Sequence, residues 1–135
     1  MATTTAQLKL DSAAGSLLTS VLAIDDTATL TKLGTSNGLE HTTGLARKTF
    51  AAATETKILE ADDYTDTKAH KLYIKNTDTG TTTQVEITIG AVGASKSIGF
   101  LDPDDWAWIP WQGTEDINVK CTSATTIVEW MLIFE

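Results

Sequence analysis

Phe100-Leu-Asp-Pro-Asp-Asp-Trp-Ala-Trp-Ile-Pro-Trp111 is the stretch on which the fold class turns. It holds three of the four tryptophans in the chain and both prolines. Asp102-Pro-Asp-Asp105 is turn chemistry: proline pre-sets φ, and Asp side chains bond their own backbone. Trp106 to Trp111 then reads as a strand. Successive strand side chains point to opposite faces. Trp106, Trp108 and Pro110 therefore share one face, and Ala107, Ile109 and Trp111 share the other. Both faces are apolar, whereas a sandwich strand normally keeps one face wet. The second face needs a cover, either from a loop of this chain or from another chain. Pro110 cannot donate to a ladder, which places the strand at a sheet edge or a bulge.

Working outward, the same alternation recurs. Asp116–Cys121 turns Ile117, Val119 and Cys121 to one side. The closing run Thr126–Phe134 is apolar on both faces. Val128, Trp130, Leu132 and Phe134 lie on one, and Ile127, Met131 and Ile133 on the other, interrupted by Glu129. That is the pattern of a central or an interface strand. Upstream, His70–Asn76 puts Leu72 and Ile74 inward, and Gln84–Gly90 puts Val85, Ile87 and Ile89 inward. With the turn Thr77-Asp-Thr-Gly80 between them, these two are expected to form a hairpin.

The first half is weaker in pattern. Residues 4–10 alternate, with Leu8 and Leu10 on one face, and read as a first strand. Asp11–Ser20 reads as a loop or a single helical turn. Val21–Leu33 alternates loosely, with Leu22, Ile24, Ala28 and Leu30 inward. Gly34-Thr-Ser-Asn-Gly38 is a turn, and Leu39–Gly44 a surface loop. Short strands are expected at 48–52 and 56–59, and an acidic loop with a short 3-10 turn at 60–66. The tally is about eight to ten strands at the spacing of a sandwich or barrel. The expectation is all-β: a single-domain antiparallel β-sandwich, jelly-roll-like, because a double sheet buries both faces and limits open edges. Residues 1–20 form an N-terminal arm or first strand, and residues 21–135 the sandwich.

Composition bounds the function. The chain has 135 residues, 41% hydrophobic and 21% charged, which is globular. Net charge is −8, which argues against nucleic acid and against an anionic membrane, since both call for a basic footprint. One cysteine, Cys121, allows no intrachain disulfide. The Met1-Ala-Thr-Thr-Thr start lacks the basic and apolar regions of a signal peptide.

The search for chemistry returns little. His41 and His70 are the only imidazoles, and neither has metal or triad spacing. Cys121 alternates with Val119 and Ile117 and reads as a small buried hydrophobe. Asp102, Asp104 and Asp105, or Asp62, Asp63 and Asp66, could hold a hard cation, but no EF-hand spacing follows. Catalytic residues, metal and cofactor are therefore all expected to be none, and the protein is expected not to be an enzyme. Tryptophan faces also stack on sugars, so Trp106, Trp108 and Trp111 could instead form a glycan platform.

Three segments together carry a family resemblance: Lys71-Leu-Tyr-Ile-Lys-Asn-Thr77, Gly99–Trp111 and Val128-Glu-Trp-Met-Leu-Ile-Phe-Glu135. With the Thr-rich Leu30-Thr-Lys-Leu-Gly-Thr35 before them, they resemble small virion structural proteins of tailed bacteriophages, particularly phages of aquatic cyanobacteria. The resemblance spans roughly residues 20–135. It implies a capsid decoration or cement protein, a homotrimer that binds the major capsid protein on the outer head surface. Such a protein is made in the host cytoplasm and resides on the virion. The aromatic positions Trp106, Trp108, Pro110, Trp111 and Trp130 are then the expected oligomer or capsid contacts, because tryptophan is enriched at interface hot spots. The alternative is a tail or host-recognition module that binds carbohydrate.

Overall fold

Strand-forming Thr, Val and Ile recur throughout the chain, and strands dominate the result. The computed structural model describes residues 4–12 and 22–135, and among these there is no α-helix. The loop or helical turn expected at Asp11–Ser20 falls largely outside the described residues. The chain forms two compact units, Met1–Glu40 and His41–Glu135. The boundary expected after residue 20 thus moves to residue 40. The reason is pairing: β2 (Leu22–Leu30), which the alternation assigned to the sandwich, bonds instead to β1 (Thr4–Ser12). They form a two-stranded antiparallel ribbon.

The second unit is two antiparallel sheets packed face to face. One contains β5 (Glu55–Leu59), β7 (Val85–Ile89), β8 (Lys96–Leu101) and β10 (Ile117–Cys121), in the order β5-β10-β7-β8. The other contains β3 (His41–Thr42), β4 (Ala46–Phe50), β6 (His70–Asn76), β9 (Trp106–Trp111) and β11 (Thr126–Phe134). Its order is β3-β11-β6-β9, with β4 also on β11. The all-β sandwich follows directly from the alternation. Leu72, Ile74, Val128 and Leu132 point in from one sheet, and Val85, Ile87, Ile117, Val119 and Cys121 from the other. All are 2% exposed or less. Burying one such aliphatic side chain contributes about 1.5–3 kcal/mol.

Two expectations are corrected. First, β6 and β7 are not a hairpin. β6 pairs with β9 and β11, and β7 with β8 and β10, so the two lie in different sheets. Residues 77–84 are long enough to cross the roughly 10 Å between sheets, where a tight turn would not be. The crossing is pinned by Asn76, which is fully buried. Its amide donates to the carbonyls of Thr83 at 2.9 Å and Leu101 at 3.2 Å. Second, Leu39–Gly44 is not a surface loop throughout: Leu39 is 2% exposed, and His41–Thr42 adds to β11. Of the two positions its pattern left open, β11 takes the central one, with β3 and β4 on one side and β6 on the other.

From β4 onward, only the β7–β8 connection stays within one sheet. Two turns show how sequence permits this path. Asp102–Asp105 closes with the Asp105 N–H on the Asp102 carbonyl at 3.0 Å. Pro103 is at its second position and Asp104 at φ 65° in its third, as a type II turn requires. Gly113, at φ 81°, turns the chain from β9 to β10. A Cβ there would sit 2.8 Å from His70 Nε2 and 3.2 Å from the Thr65 carbonyl, so only glycine fits.

Candidate functional site

β9 is the end strand of its sheet, as Pro110 suggested. The Asn76 N–H bonds the Asp105 carbonyl at 3.0 Å. Hydrogen-bonding direction alternates along an antiparallel strand. Residues 107, 109 and 111 therefore bond toward β6, and 106, 108 and 110 toward the open edge. The missing N–H of Pro110 lies on that edge, where it disfavours pairing with a further strand.

The two faces of β9 differ sharply. Ala107, Ile109 and Trp111 point into the core. Trp111 is 4% exposed and its indole N–H donates to the Glu115 carbonyl at 2.9 Å. Its ring meets Tyr64 edge-on at 5.3 Å and His70 at 5.4 Å. Trp130 belongs to the inner row as well, packed against the core with Phe50 5.9 Å away. Trp111 therefore leaves the expected contact surface, because the chain itself covers its ring, whereas Trp130 packs on the core and stays partly exposed.

Trp106, Trp108 and Pro110 are on the opposite face. Strand register extends this face inward in three rows. Trp106 lies opposite Lys75 and then Glu129; Trp108 opposite Tyr73 and then Met131; Pro110 opposite Lys71 and then Ile133. Trp106 is half-exposed, and Trp108, Tyr73 and Met131 are partly so. An aromatic and thioether row thus runs between two rows that carry charge. The Lys75 ammonium is 2.6 Å from Asp104 Oδ1, and this hydrogen bond raises its pKa. The Tyr73 hydroxyl donates to Glu129 Oε1 at 3.3 Å. Burial first, and the Glu129 charge second, push the Tyr73 pKa up. The phenol stays neutral. Tyr73, Lys71 and Lys75 were visible as the outward half of the β6 alternation, but that they complete the tryptophan face needed the pairing of β6 with β9.

The two histidines and Cys121 differ in setting. His70 is 1% exposed, among Tyr64, Trp111 and Phe134. Its Nε2 lies 3.0 Å from the Thr65 carbonyl, so Nε2 carries the proton. His41 is in β3, with its ring 5.4 Å from Phe134. Cys121 is 1% exposed and burial raises its thiol pKa to about 11, which keeps it unreactive. Among the described residues, no group of three or more His, Cys, Asp or Glu side chains could hold a metal ion.

Two polar clusters escaped the sequence reading, since nothing in alternation marks them. Glu55 accepts from the Ser95 and Thr88 hydroxyls and the Gly93 N–H, which hold its carboxyl below the usual range. It ties the β7–β8 loop to β5. Asp116 meets the Lys57 ammonium at 2.7 Å and accepts from the Ala61 N–H at 2.9 Å. It fastens the 3-10 turn Ala61–Asp63 to β10.

No protein-family description, no curated protein and no solved structure matches this chain.

Proposed function

We propose that this is a virion structural protein, a decoration or cement protein that seats the outer face of its β3-β11-β6-β9 sheet on the shell of a tailed-phage head. The observation that carries the reading is the pairing of Trp106 with Trp108 and Pro110 on one exposed face of an edge strand whose backbone edge is blunted by proline. Such a face docks through side chains. Tryptophan on it is the residue type that dominates protein–protein hot spots, while charge at the rim sets register. A jelly-roll path is part of the reading: two layers, with all but one of the connections from β4 onward crossing between them. The partner is the major capsid protein, the residence is the capsid surface, and the role is not catalytic.

The test is co-sedimentation of the purified chain with head shells that lack it. Trp106→Ala and Trp108→Ala should each weaken shell binding by tenfold or more, the size of a hot-spot loss. A double variant that binds as wild type does overturns the assignment. One observation favours a second reading: Trp106, half-exposed, stands beside the polar groups of Lys75, Glu129 and Tyr73. That mixture of ring and hydrogen-bonding groups also suits a sugar. Quenching of tryptophan fluorescence by members of a glycan panel, lost in Trp106→Ala, would move the function to carbohydrate recognition.

A further inference from the structure

We infer that the β1–β2 ribbon is an assembly element, which pairs edge to edge with the same ribbon of a second copy, β1 of one against β2 of the next. The inference rests on the oligomer expected above only in needing a second copy, and it does not require a capsid.

The register sorts the ribbon into two faces. Leu10 lies opposite Ile24, and Ala6 opposite Ala28, so Ala6, Leu8, Leu10, Ile24 and Ala28 share one face. Gln7, Lys9, Asp25 and Thr27 share the other. The apolar face is open to water in the single chain: Leu8 is 40% exposed, Leu10 43% and Ile24 40%. Among the described residues neither strand has a second strand partner in its sheet, and only the Leu30–Thr31 end of β2 is met again, by Gly38 and Leu39. An isolated two-stranded ribbon is marginally stable at best, and a third strand or a packed face is what rescues it. Open edges with an apolar face are a template for pairing with another chain.

Charge selects which strand comes next. β2 carries Asp25 and Asp26, and β1 carries Lys9 and Asp11. Setting β2 against β2 of another copy would place carboxylates against carboxylates, and directly opposed like charges destabilise a sheet. Setting β1 against β2 in the register already present within the chain places Lys9 opposite Asp25 a second time. Each lysine then sits between two aspartates. The same contact repeated uses both edges of every ribbon, and a head-to-tail contact of this kind closes into a ring where its rotation closes and grows as an open array where it does not. A ring with the apolar face inside takes Leu8, Leu10 and Ile24 out of water. It also takes in Asp26, which lies opposite Leu8 on that face. Asp26 is the one charge that works against closure.

The experiment is light scattering of the full chain on a sizing column across a range of concentrations. Wild type should run as a multiple of 14.5 kDa. Leu10→Lys and Ile24→Lys should run as monomers, with the cooperative melt of the sandwich unchanged. Asp26→Asn should keep the oligomer intact to at least threefold lower concentration, a gain that a merely unfolded ribbon cannot produce. An Ile24→Lys variant that keeps the wild-type mass overturns the inference. If in addition Trp108→Ala falls to monomer, the oligomer survives and its contact is the tryptophan face instead. Wild type at 14.5 kDa throughout overturns the ribbon contact and the expected oligomer together.

Discussion

The sandwich of residues 41–135 and the ribbon of residues 4–12 and 22–30 are written in the same alternating pattern, yet one closes its apolar face and the other leaves it open. In the sandwich, Leu72 and Val119 come from opposite sheets and both are fully buried. In the ribbon, Leu10 and Ile24 oppose each other across one ladder and stay more than a third exposed. The lesson is that period-two alternation selects a strand and a face but supplies no cover. A cover needs a second layer, and a ribbon of two strands has none of its own.

The comparison breaks most easily at the core. Leu72→Ala should lower the stability of the sandwich by about 2–5 kcal/mol, the range for a deep Leu truncation that leaves a cavity. Urea titration measures it, and a loss below about 1 kcal/mol would mean that the two sheets are not packed through this row.

A smaller effect is expected at the rim of the sandwich. Asp116→Asn removes the charge that meets Lys57 and weakens the bond to the Ala61 N–H, at about 1 kcal/mol. Its pH dependence has a definite sign. The Lys57 hydrogen bond, then the Ala61 N–H, hold the folded carboxyl below its usual range. The stabilisation is therefore present above the ordinary carboxylate value near pH 4 and is lost as pH falls through the lower folded value. Wild type and Asp116→Asn should differ at pH 7 and converge in acid, as paired thermal melts would show. A gap that widens in acid would contradict this.

The smallest effect should be Leu10→Ala in the ribbon. On dilute single chains it should shift the melt by less than about 0.5 kcal/mol, as for a surface substitution. A loss as large as that of Leu72→Ala would show the ribbon face to be covered already within one chain, and would erase the contrast between the two regions.

Much of the fold was legible in the residues. Strict alternation at His70–Asn76, Val85–Ile89 and Ile117–Cys121 marked strands and their inner faces, because a strand repeats every two residues. Pro110 marked an edge, because it has no N–H to give. Partnering was harder. Proximity in sequence favours a hairpin, so β6 and β7 were joined, whereas the Asn76 amide bonds carbonyls at Thr83 and Leu101 and carries the chain across. For the candidate site, Trp106 and Trp108 were readable as a pair on one face. Trp111 was readable on the opposite face, but which face is inside, and that Trp130 packs on the core, depended on the second sheet.

Local sequence was enough to establish an all-β chain, the position of most of its strands, and which side chains share a face. These are local properties of backbone period and turn chemistry. Long-range pairing established which face is buried, that Trp111 is core while Trp106 is half-exposed, and that residues 4–12 and 22–30 pair with each other. Those outcomes depend on which strands pair over long distances. Pairing is settled by the fit of whole faces and by buried polar anchors such as Asn76, neither of which any single segment encodes.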